Sequence, residues 1–260
     1  MPIHLRQICL VAEKLKPAID DLTSVLGIEV CHVDPEVGKW GLENALLPIG
    51  TDFLEVVAPI AEGTSAGRHL ARRGGDGGYM VICQVPSRTE QDTVRQRAAD
   101  NGVRVAYESD RESWRIMQLH PGHMRGAYLE VDWDEQADAQ GNWMPAGGTG
   151  WEDLVSSGIV QRITGVELQG PDPAAMAAHW GAVCGMEPIT LDGEPTIRLA
   201  NADLRFVRDS DGRGPGLGGI DLIATDPERL QENARTRGCL TGDGRIVLCG
   251  TRINIAEGRG

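Results

Sequence analysis

Three glutamates stand inside strand-like runs of apolar residues, where a charged side chain needs a reason. Glu55 interrupts the run FLEVV, and Glu130 interrupts AYLEV at the corresponding place in a later segment. Glu43, in GLENALL, lies on the predicted strand before Glu55. A charge on a half-buried sheet face is unfavourable unless it meets a partner, a metal ion or a substrate. An outward-facing position explains each residue alone equally well, whereas the matched pair Glu55 and Glu130 favours a functional site.

A basic cluster occupies one short segment after these strands. Thr64 can cap this segment as a helix, and the cluster consists of Arg68, His69, Arg72 and Arg73. Its two interpretations are a solvated helix face and an anion-binding rim for a phosphate or carboxylate. His120 and His123, in the loop HPGH, are expected to form a turn with partly exposed imidazoles rather than a metal site.

Common catalytic motifs are absent from the sequence. A formal G-x-G-x-x-G occurs at Gly214, Gly216 and Gly219, but a predicted strand follows it, so no helix N-terminus is available for a pyrophosphate. The sequence contains no Walker loop, G-x-S-x-G, H-E-x-x-H or EF-hand spacing. The usual hydrolase, kinase and zinc-protease assignments therefore lose their support.

The elements that must position these residues repeat four times along the chain. Each predicted helix opens with a proline or a polar N-cap and closes near a glycine. The four segments are Pro17–Leu26, Ser87–Asn101, Pro173 to Gly185 and Pro227 to Gly238. A strand-like run precedes each helix and about three short ones follow, so the repeating unit is one strand, one helix and about three strands.

The periodicity stops in the middle of the chain. We expect residues 1–132 to form one domain, 133–158 a linker rich in Trp and Gly, and 159–260 a second domain. Trp133, Trp143 and Trp151 lie in this linker, which is unusual for a solvated tether. The linker is therefore predicted to pack against one half or a second subunit, with its indoles as anchors.

The overall composition excludes several classes of protein. The 260 residues include 25 Lys and Arg against 38 Asp and Glu, a net charge of −13, so the surface repels nucleic acid. No apolar run approaches the roughly 18 residues of a membrane span, and the start MPIHLRQICLVAEKLK lacks a signal-peptide pattern. The six cysteines include no C-x-x-C pair and are expected to be reduced core thiols. We expect a soluble cytoplasmic protein without nucleic-acid or membrane partners.

The repeated units resemble the βαβββ modules of the vicinal oxygen chelate superfamily. This superfamily includes glyoxalases, extradiol dioxygenases, bleomycin-resistance proteins and methylmalonyl-CoA epimerases. The likeness is strongest over residues 3–132, where TSAGRHLARRGGDGGYMVICQV and HPGHMRGAYLEV are similar to the epimerase pattern. Residues 161–257 fit at the level of module order. The resemblance implies an α+β fold in which four modules form two pseudo-symmetric, curled mixed sheets.

The resemblance also implies where a divalent metal would bind. The four ligand positions fall at Gln7, Glu55, Met80 and Glu130. Metal-dependent relatives have His where this chain has Gln7 and Met80, so an amide oxygen and two carboxylates remain. Such a set suits Mg²⁺ or Mn²⁺ better than zinc, and would hold it weakly. The corresponding positions of the second half, which offer no carboxylate or imidazole, are Gly165, Arg205, Ile220 and Asn254.

Two functions of different classes follow, and both have a small molecule as the partner. The first is an isomerase, epimerase or lyase that works through a metal-stabilised enolate of a small oxo acid or acyl thioester. Its residues would be Glu43 and Glu130 for proton transfer, Gln7, Glu55 and Glu130 for the metal, and Met80, Tyr79 and Arg68 for the substrate. The second is a metal-free binding protein for an antibiotic-like, basic molecule. A pseudo-enzyme with a role in assembly, and a homodimer, also remain open.

Overall fold

The computed structural model describes residues 2–144 and 147–256. The predicted domains and linker also include residues 1, 145–146 and 257–260, which lie outside the described residues. The helices are α1 (Leu15–Leu26), α2 (Ser65–Arg73), α3 (Arg88–Asp100), α4 (Pro173–Cys184) and α5 (Pro227–Arg237). The strands of the first half are β1 (His4–Val11), β2 (Leu42–Ile49), β3 (Asp52–Pro59), β4 (Gly77–Gln84), β5 (Val105–Asp110), β6 (Trp114–Leu119) and β7 (Tyr128–Asp134). Those of the second half are β8 (Val160–Gly170), β9 (Ile189–Leu191), β10 (Glu194–Arg198), β11 (Asp203–Arg208), β12 (Gly216–Ala224), β13 (Ile246–Leu248) and β14 (Thr251–Ile255).

Local capping explains where the helices begin and end. All four helices predicted by the repeat form, and α2 is a fifth, which the Thr64 side chain caps by accepting a hydrogen bond from the Gly67 N–H at 2.9 Å. Ser87 caps α3 in the same way through the Glu90 N–H at 3.2 Å. Gly27 ends α1 in the left-handed conformation, with φ of 68°, which glycine adopts without strain.

The two halves build the same mixed sheet, in the strand orders β2-β3-β1-β4-β7-β6-β5 and β13-β14-β12-β8-β11-β10-β9. In the first sheet the central strands β1 and β4 are antiparallel, and β3 and β7 lie parallel outside them. In the second sheet, β8 and β12 are the antiparallel centre, and β11 and β14 lie parallel outside them. Neither sheet closes, and the α+β architecture of paired modules predicted from the sequence is confirmed.

The first module departs from the predicted pattern in one place. Two strands, β2 and β3, lie between α1 and α2 where the repeat predicted about three. Residues 28–33 do not form a further strand, although the Cys31 N–H donates to the Leu46 carbonyl at 2.8 Å and the Leu46 N–H to the His32 carbonyl at 2.9 Å. A 3₁₀ helix, Pro35–Trp40, follows directly. Proline fixes φ and supplies no N–H, so the extended segment cannot continue into a full ladder.

The halves share one continuous hydrophobic core. Helix α1 packs on α5, α3 packs on α4, and β4 lies against β12. At this last contact a Cβ on Gly78 would collide with Leu217. The G-x-G-x-x-G segment leads into β12, which begins at Gly216. Its glycines therefore permit close packing of the halves and do not form a nucleotide-binding loop.

Trp143 and Trp151 of the predicted linker pack on the first half, whereas Trp133, its first residue, belongs to β7 itself. The indoles of Trp143 and Trp151 are 0% and 3% exposed and belong to an apolar cluster on one face of the first sheet, to which α2 also contributes. Trp151 packs edge-on against Phe53, with 5.1 Å between ring centroids. Trp133 lies outside that cluster, under the guanidinium of Arg88 at 4.4 Å.

Candidate functional site

The inner face of the first sheet, here termed the first cup, carries the residues predicted to bind a metal. Strand register places Cys9 beside both Glu55 and Met80. It also places Gln7 and Glu130 on either side of Ile82. Because paired residues in neighbouring strands share a face, all four predicted ligand positions point to the same side.

Glu55 lies in a closed network of neutral hydrogen-bond donors. Its Oε2 accepts from the Gln7 amide at 2.8 Å, and its Oε1 accepts from the Asn44 amide at 2.7 Å. The Gln7 Oε1 in turn accepts from the Trp143 indole at 2.8 Å. Burial raises the pKa of Glu55, although the amide hydrogen bonds oppose the rise. Amide and indole groups thus hold this carboxyl group in place of a cation.

Glu130 forms a buried acidic pair with Asp132, which lies two residues further along β7. Burial raises the pKa of Glu130 to about 7, against hydrogen bonds with Asp132 and Gln118 that lower it. Burial, together with the charge of Glu130, raises the pKa of Asp132 well above its ordinary value. Two carboxyl groups that share a buried site favour a state in which they hold a proton.

These residues do not fit the Mg²⁺ or Mn²⁺ ion that the sequence predicted. The amide oxygen of Gln7 is occupied by Trp143, both oxygens of Glu55 accept N–H groups, and Met80 packs in the apolar cluster. Within residues 2–144 and 147–256, no group of three or more His, Cys, Asp or Glu is arranged to hold a metal ion. A hard cation needs several free oxygen ligands, and the first cup does not supply them.

Glu43 does not join the other predicted site residues. Its side chain is exposed, and it pairs with Ala58 across β2 and β3 while Leu46 pairs with Glu55. Neighbouring residues along a strand point to opposite faces, so Asn44 takes the inward position and Glu43 faces away from the first cup. The proton-transfer role expected of Glu43 has no geometric support.

Of the three residues predicted to bind the substrate, Tyr79 and Arg68 line a cleft of about 460 Å³ between the halves, here termed the arginine cleft, whereas Met80 lies in the apolar cluster and does not line it. Tyr79 and Tyr128 stack edge to face in its wall, with 5.2 Å between ring centroids. Met80 pairs with Tyr128 across the parallel strands. The cleft is lined by Ser65, Arg68, His69, Arg72, Arg73, Tyr79, His120, Pro121, Gly122, Arg125, Gly126, Tyr128, Arg213 and Pro215. The predicted basic cluster and the HPGH loop therefore meet in one place.

The inner face of the second sheet, the second cup, is charged where the first is neutral. Arg205 binds both carboxylate oxygens of Asp221 at 2.7 Å and reaches Glu194 at 2.6 Å. Arg252 donates to Glu167 at 2.8 Å. Ile220, which the resemblance implied as the inward position, lies in the hydrophobic core, and the neighbouring Asp221 faces Arg205 instead. This half therefore carries inward carboxylates at positions other than the four named from the sequence, and guanidinium groups neutralise them.

Sequence reasoning missed three residues that decide the first cup. Asp132 had a readable signal, since it follows Glu130 by two positions on one strand and so shares its face. For Asn44 the only signal in the sequence was its position next to Glu43 on the same predicted strand. The insertion of Trp143 beside Gln7, 136 positions away in sequence, had no local signal, because the path of a linker is set by tertiary packing.

No helix in the part of the chain that the structure describes is both long and apolar enough to cross a membrane.

Comparison with known proteins places the fold. The model of the glyoxalase-like domain family matches residues 8–184. A triple mutant of 4-hydroxymandelate synthase from Streptomyces coelicolor is 15% identical, with a TM-score of 0.66, over 92% of this chain and 76% of that chain. A methylmalonyl-CoA epimerase in complex with methylmalonyl-CoA and NH₄⁺ is 24% identical, with a TM-score of 0.45, over 53% of this chain and 99% of that chain.

The epimerase from Mycobacterium tuberculosis is also 24% identical, with a TM-score of 0.43, over 50% of this chain and 87% of that chain. No curated protein matches this chain. The likeness to the synthase extends across both halves, so it shows that the paired-module fold continues beyond the segment matched by the family model.

Proposed function

The chain belongs to the glyoxalase-like domain family, and we propose that it binds a small organic molecule without a resident metal ion, at the arginine cleft. The observation that carries this proposal is the closed network at Gln7 and Glu55, in which the oxygens that would ligate a metal already accept hydrogen bonds. Superfamily members commonly bind divalent metals, and this chain has replaced that role with amide and indole donors.

The arginine cleft is where the first cup remains accessible to a ligand. Trp143 and Trp151 fill the cup near Gln7 and Phe53, whereas Tyr128 is only half-buried. Aromatic side chains offer a flat apolar surface with a polar tip, and arginines provide charged donors beside it. This combination suits an acidic ligand, whereas the metal-free alternative considered from the sequence alone invoked a basic one.

A ligand panel with and without metal tests the proposal. Small oxo acids and acyl thioesters are added to protein freed of metal by EDTA, and the melting temperature is measured. We expect at least one compound to raise it equally after EDTA treatment and after addition of Mn²⁺. Tyr128→Leu should abolish the shift, and Tyr107→Leu, which alters the pair of Tyr107 with Trp40, should keep it. A shift that requires Mn²⁺, or no shift with any compound, contradicts the proposal.

A second candidate is proton transfer on the bound molecule by Glu130, which does not line the arginine cleft but lies two residues along β7 from the cleft residue Tyr128, on the same face of the strand, and is paired with Asp132. A carboxyl group with a pKa of about 7 suits general acid–base catalysis near neutral pH. The ionised Glu130 would take a proton from the carbon beside a carbonyl, the electron pair of that C–H bond would form the C=C bond of an enolate as the carbonyl π pair moves to oxygen, and the carboxyl group would return the proton as the carbonyl re-forms. Cationic groups of the cleft would stabilise the enolate.

Exchange of the substrate proton in D₂O tests this chemistry directly. Any panel compound that binds is followed by proton NMR for loss of its signal beside the carbonyl. Exchange should proceed with the wild type and with Glu62→Gln, an exposed control, and fall by about 100-fold or more in Glu130→Gln. Equal exchange in Glu130→Gln and the wild type would remove Glu130 from the reaction.

A further inference from the structure

We propose that the arginine cleft is a phosphate-binding site built jointly by the two halves, so that the ligand is a phosphorylated small molecule. This deepens the proposed function and rests on it for the location of the organic part. The phosphate would lie among the guanidinium groups at the mouth of the cleft, and the remainder of the molecule against the two tyrosines.

The first argument is positive charge without direct carboxylate partners, although the charges of Asp209 and Asp211 act on Arg73 from a greater distance. The five arginines that line the cleft are Arg68, Arg72, Arg73, Arg125 and Arg213. Among the residues that the structure describes, none of the five forms a salt bridge with a carboxylate. Acidic residues outnumber basic ones in this chain, and Arg205 and Arg252 of the second cup are both paired. Concentrated positive charge in a cleft attracts an anion.

Two of the arginines are fixed parts of the junction between the halves. Arg73 donates to the carbonyls of Arg213 and Pro215 at 2.7 and 2.8 Å. Arg213 donates back to the carbonyls of Arg73 and Gly250, both at 2.9 Å. Burial and the charge of Arg213 lower the pKa of Arg73, while the charges of Asp211 and Asp209 oppose the shift. The hydrogen bonds to backbone carbonyls hold both guanidinium groups in place at the junction.

The other three arginines have exposed side chains with free donors. Arg72 donates to the His69 ring at 3.0 Å and Arg125 to the Ala175 carbonyl at 2.9 Å, which leaves most of their five N–H groups unused. Arg68 extends from the same helix face. Arg125 has φ of 62°, a left-handed conformation that is unfavourable for a non-glycine residue and is found at functional sites.

Burial and nearby arginines lower the pKa of two histidines in the cleft, and one of these histidines has a ring nitrogen without a partner among the described residues. Burial, followed by the charges of Arg72 and Arg73, lowers the pKa of His69 to about 4. Burial and the charge of Arg104 also lower the pKa of His120. Within the described residues, the buried Nδ1 of His120 has no hydrogen-bond partner. A buried polar atom without a partner carries a free-energy penalty, which a ligand oxygen could relieve.

Phosphate fits these groups better than a single carboxylate does. A phosphate monoester carries a charge of about −1.5 to −2 near pH 7 and has roughly three strong acceptor oxygens. It can therefore engage several guanidinium forks at once, whereas a carboxylate has two oxygens and is matched by one. The volume of about 460 Å³ exceeds what a bare anion needs, which leaves room for an organic group against Tyr79 and Tyr128.

Phosphate binding to the full chain tests the site. Inorganic phosphate is titrated into the protein at constant ionic strength, with binding followed by calorimetry and by ³¹P NMR. We expect phosphate to bind more tightly than acetate or chloride, and more tightly at pH 7.5 than at pH 5.5 because the dianion forms. The double variant Arg72→Gln/Arg125→Gln should weaken binding by roughly tenfold to a hundredfold. Arg229→Gln, an exposed arginine on α5, should leave it unchanged.

The outcomes separate this inference from the proposed function. If acetate binds as tightly as phosphate, or if the double variant keeps wild-type affinity, the phosphate site is wrong, even when the oxo acids still raise the melting temperature. If phosphate binds as expected but no organic compound does, the phosphate site stands and the proposed function falls. Circular dichroism of the double variant checks that the fold is intact.

Discussion

The two cups hold buried carboxylates in opposite ways, although their sheets have the same strand order. Glu55 lies on β3, beside Cys9 of β1, and Arg205 lies at the corresponding place on β11, beside Glu167 of β8. The first half thus has a carboxylate where the second has the counter-charge. In the first cup amides and an indole satisfy the acid, whereas in the second a guanidinium does.

This difference shows that one backbone framework can favour either charge state of an acidic group. Burial without a cation favours the protonated form, and pairing with arginine favours the ionised form. The linker indoles also fill the first cup near Gln7 and Phe53, while the second cup keeps an open cavity of about 830 Å³. The halves therefore share a topology but not a chemistry.

Removing the indole that closes the first cup should have the largest effect. Trp143→Ala leaves a cavity and takes the donor from Gln7, so we expect the free energy of unfolding to fall by about 3–5 kcal/mol in urea titrations. Trp40→Ala is the control, since Trp40 is 43% exposed, and should lose about 1 kcal/mol or less. A loss as small as the control's would mean that the linker does not seal the cup.

Breaking the ion pairs of the second cup should come next. Arg205→Met leaves Asp221 and Glu194 without their cation. Because the Arg205 side chain is 22% exposed, the expected loss in free energy of unfolding is about 2 kcal/mol, below that of a fully buried pair. The double variant Arg205→Met/Asp221→Leu should recover part of it. Strict additivity of the single variants would contradict direct coupling.

The pH dependence of stability should run in opposite directions in the two cups. The pKa of Glu130 rises from 4.5 to about 7 on folding, so between these values the folded state holds a proton that the unfolded state has released. Its contribution to the free energy of unfolding is present at acid pH and decreases as the pH rises, by at most about 1.4 kcal/mol per pH unit. Glu130→Gln should remove this slope.

Asp211, which pairs with Arg252, is the matched group of the second half. Burial raises its pKa, but hydrogen bonds from Gln169 and Arg213 and the charge of Arg252 outweigh burial and lower it from 3.8 to about 2. Its stabilisation is present above pH 3.8 and is lost as the pH falls through 2. Asp211→Asn should therefore have a lower free energy of unfolding than the wild type at neutral pH, and the difference should vanish as the pH falls from 3.8 to about 2. If Glu130→Gln and Asp211→Asn changed the pH dependence of the free energy of unfolding in the same direction, the contrast between the two halves would be wrong.

The smallest effect is expected at Glu43. It is exposed and faces away from the first cup, so Glu43→Gln should change the free energy of unfolding by no more than about 0.5 kcal/mol. It should also leave ligand-induced shifts in melting temperature unchanged. A clear loss of ligand binding would restore the sequence-based role of this residue.

Much of the fold was readable from the chain because its signals are local. Thr64, Ser87 and the closing glycines mark helix ends through capping, and alternating apolar runs mark strands. The inward direction of Glu55 and Glu130 followed from the same alternation. Glu43 was expected to face the site, but its neighbour Asn44 does so instead, because a shift of one residue along a strand exchanges the two faces.

The sequence by itself determined the repeated modules, the acidic pair on the sheet and the presence of a basic cluster, because each depends on neighbours within a few residues. Only the tertiary structure decided what those groups meet. Whether Gln7 meets a metal or an indole depends on Trp143, and whether the basic helix faces solvent or a cleft depends on the segment of Arg213, which is hydrogen-bonded to Arg73. Such contacts join residues more than 100 positions apart, and packing of the whole chain selects them.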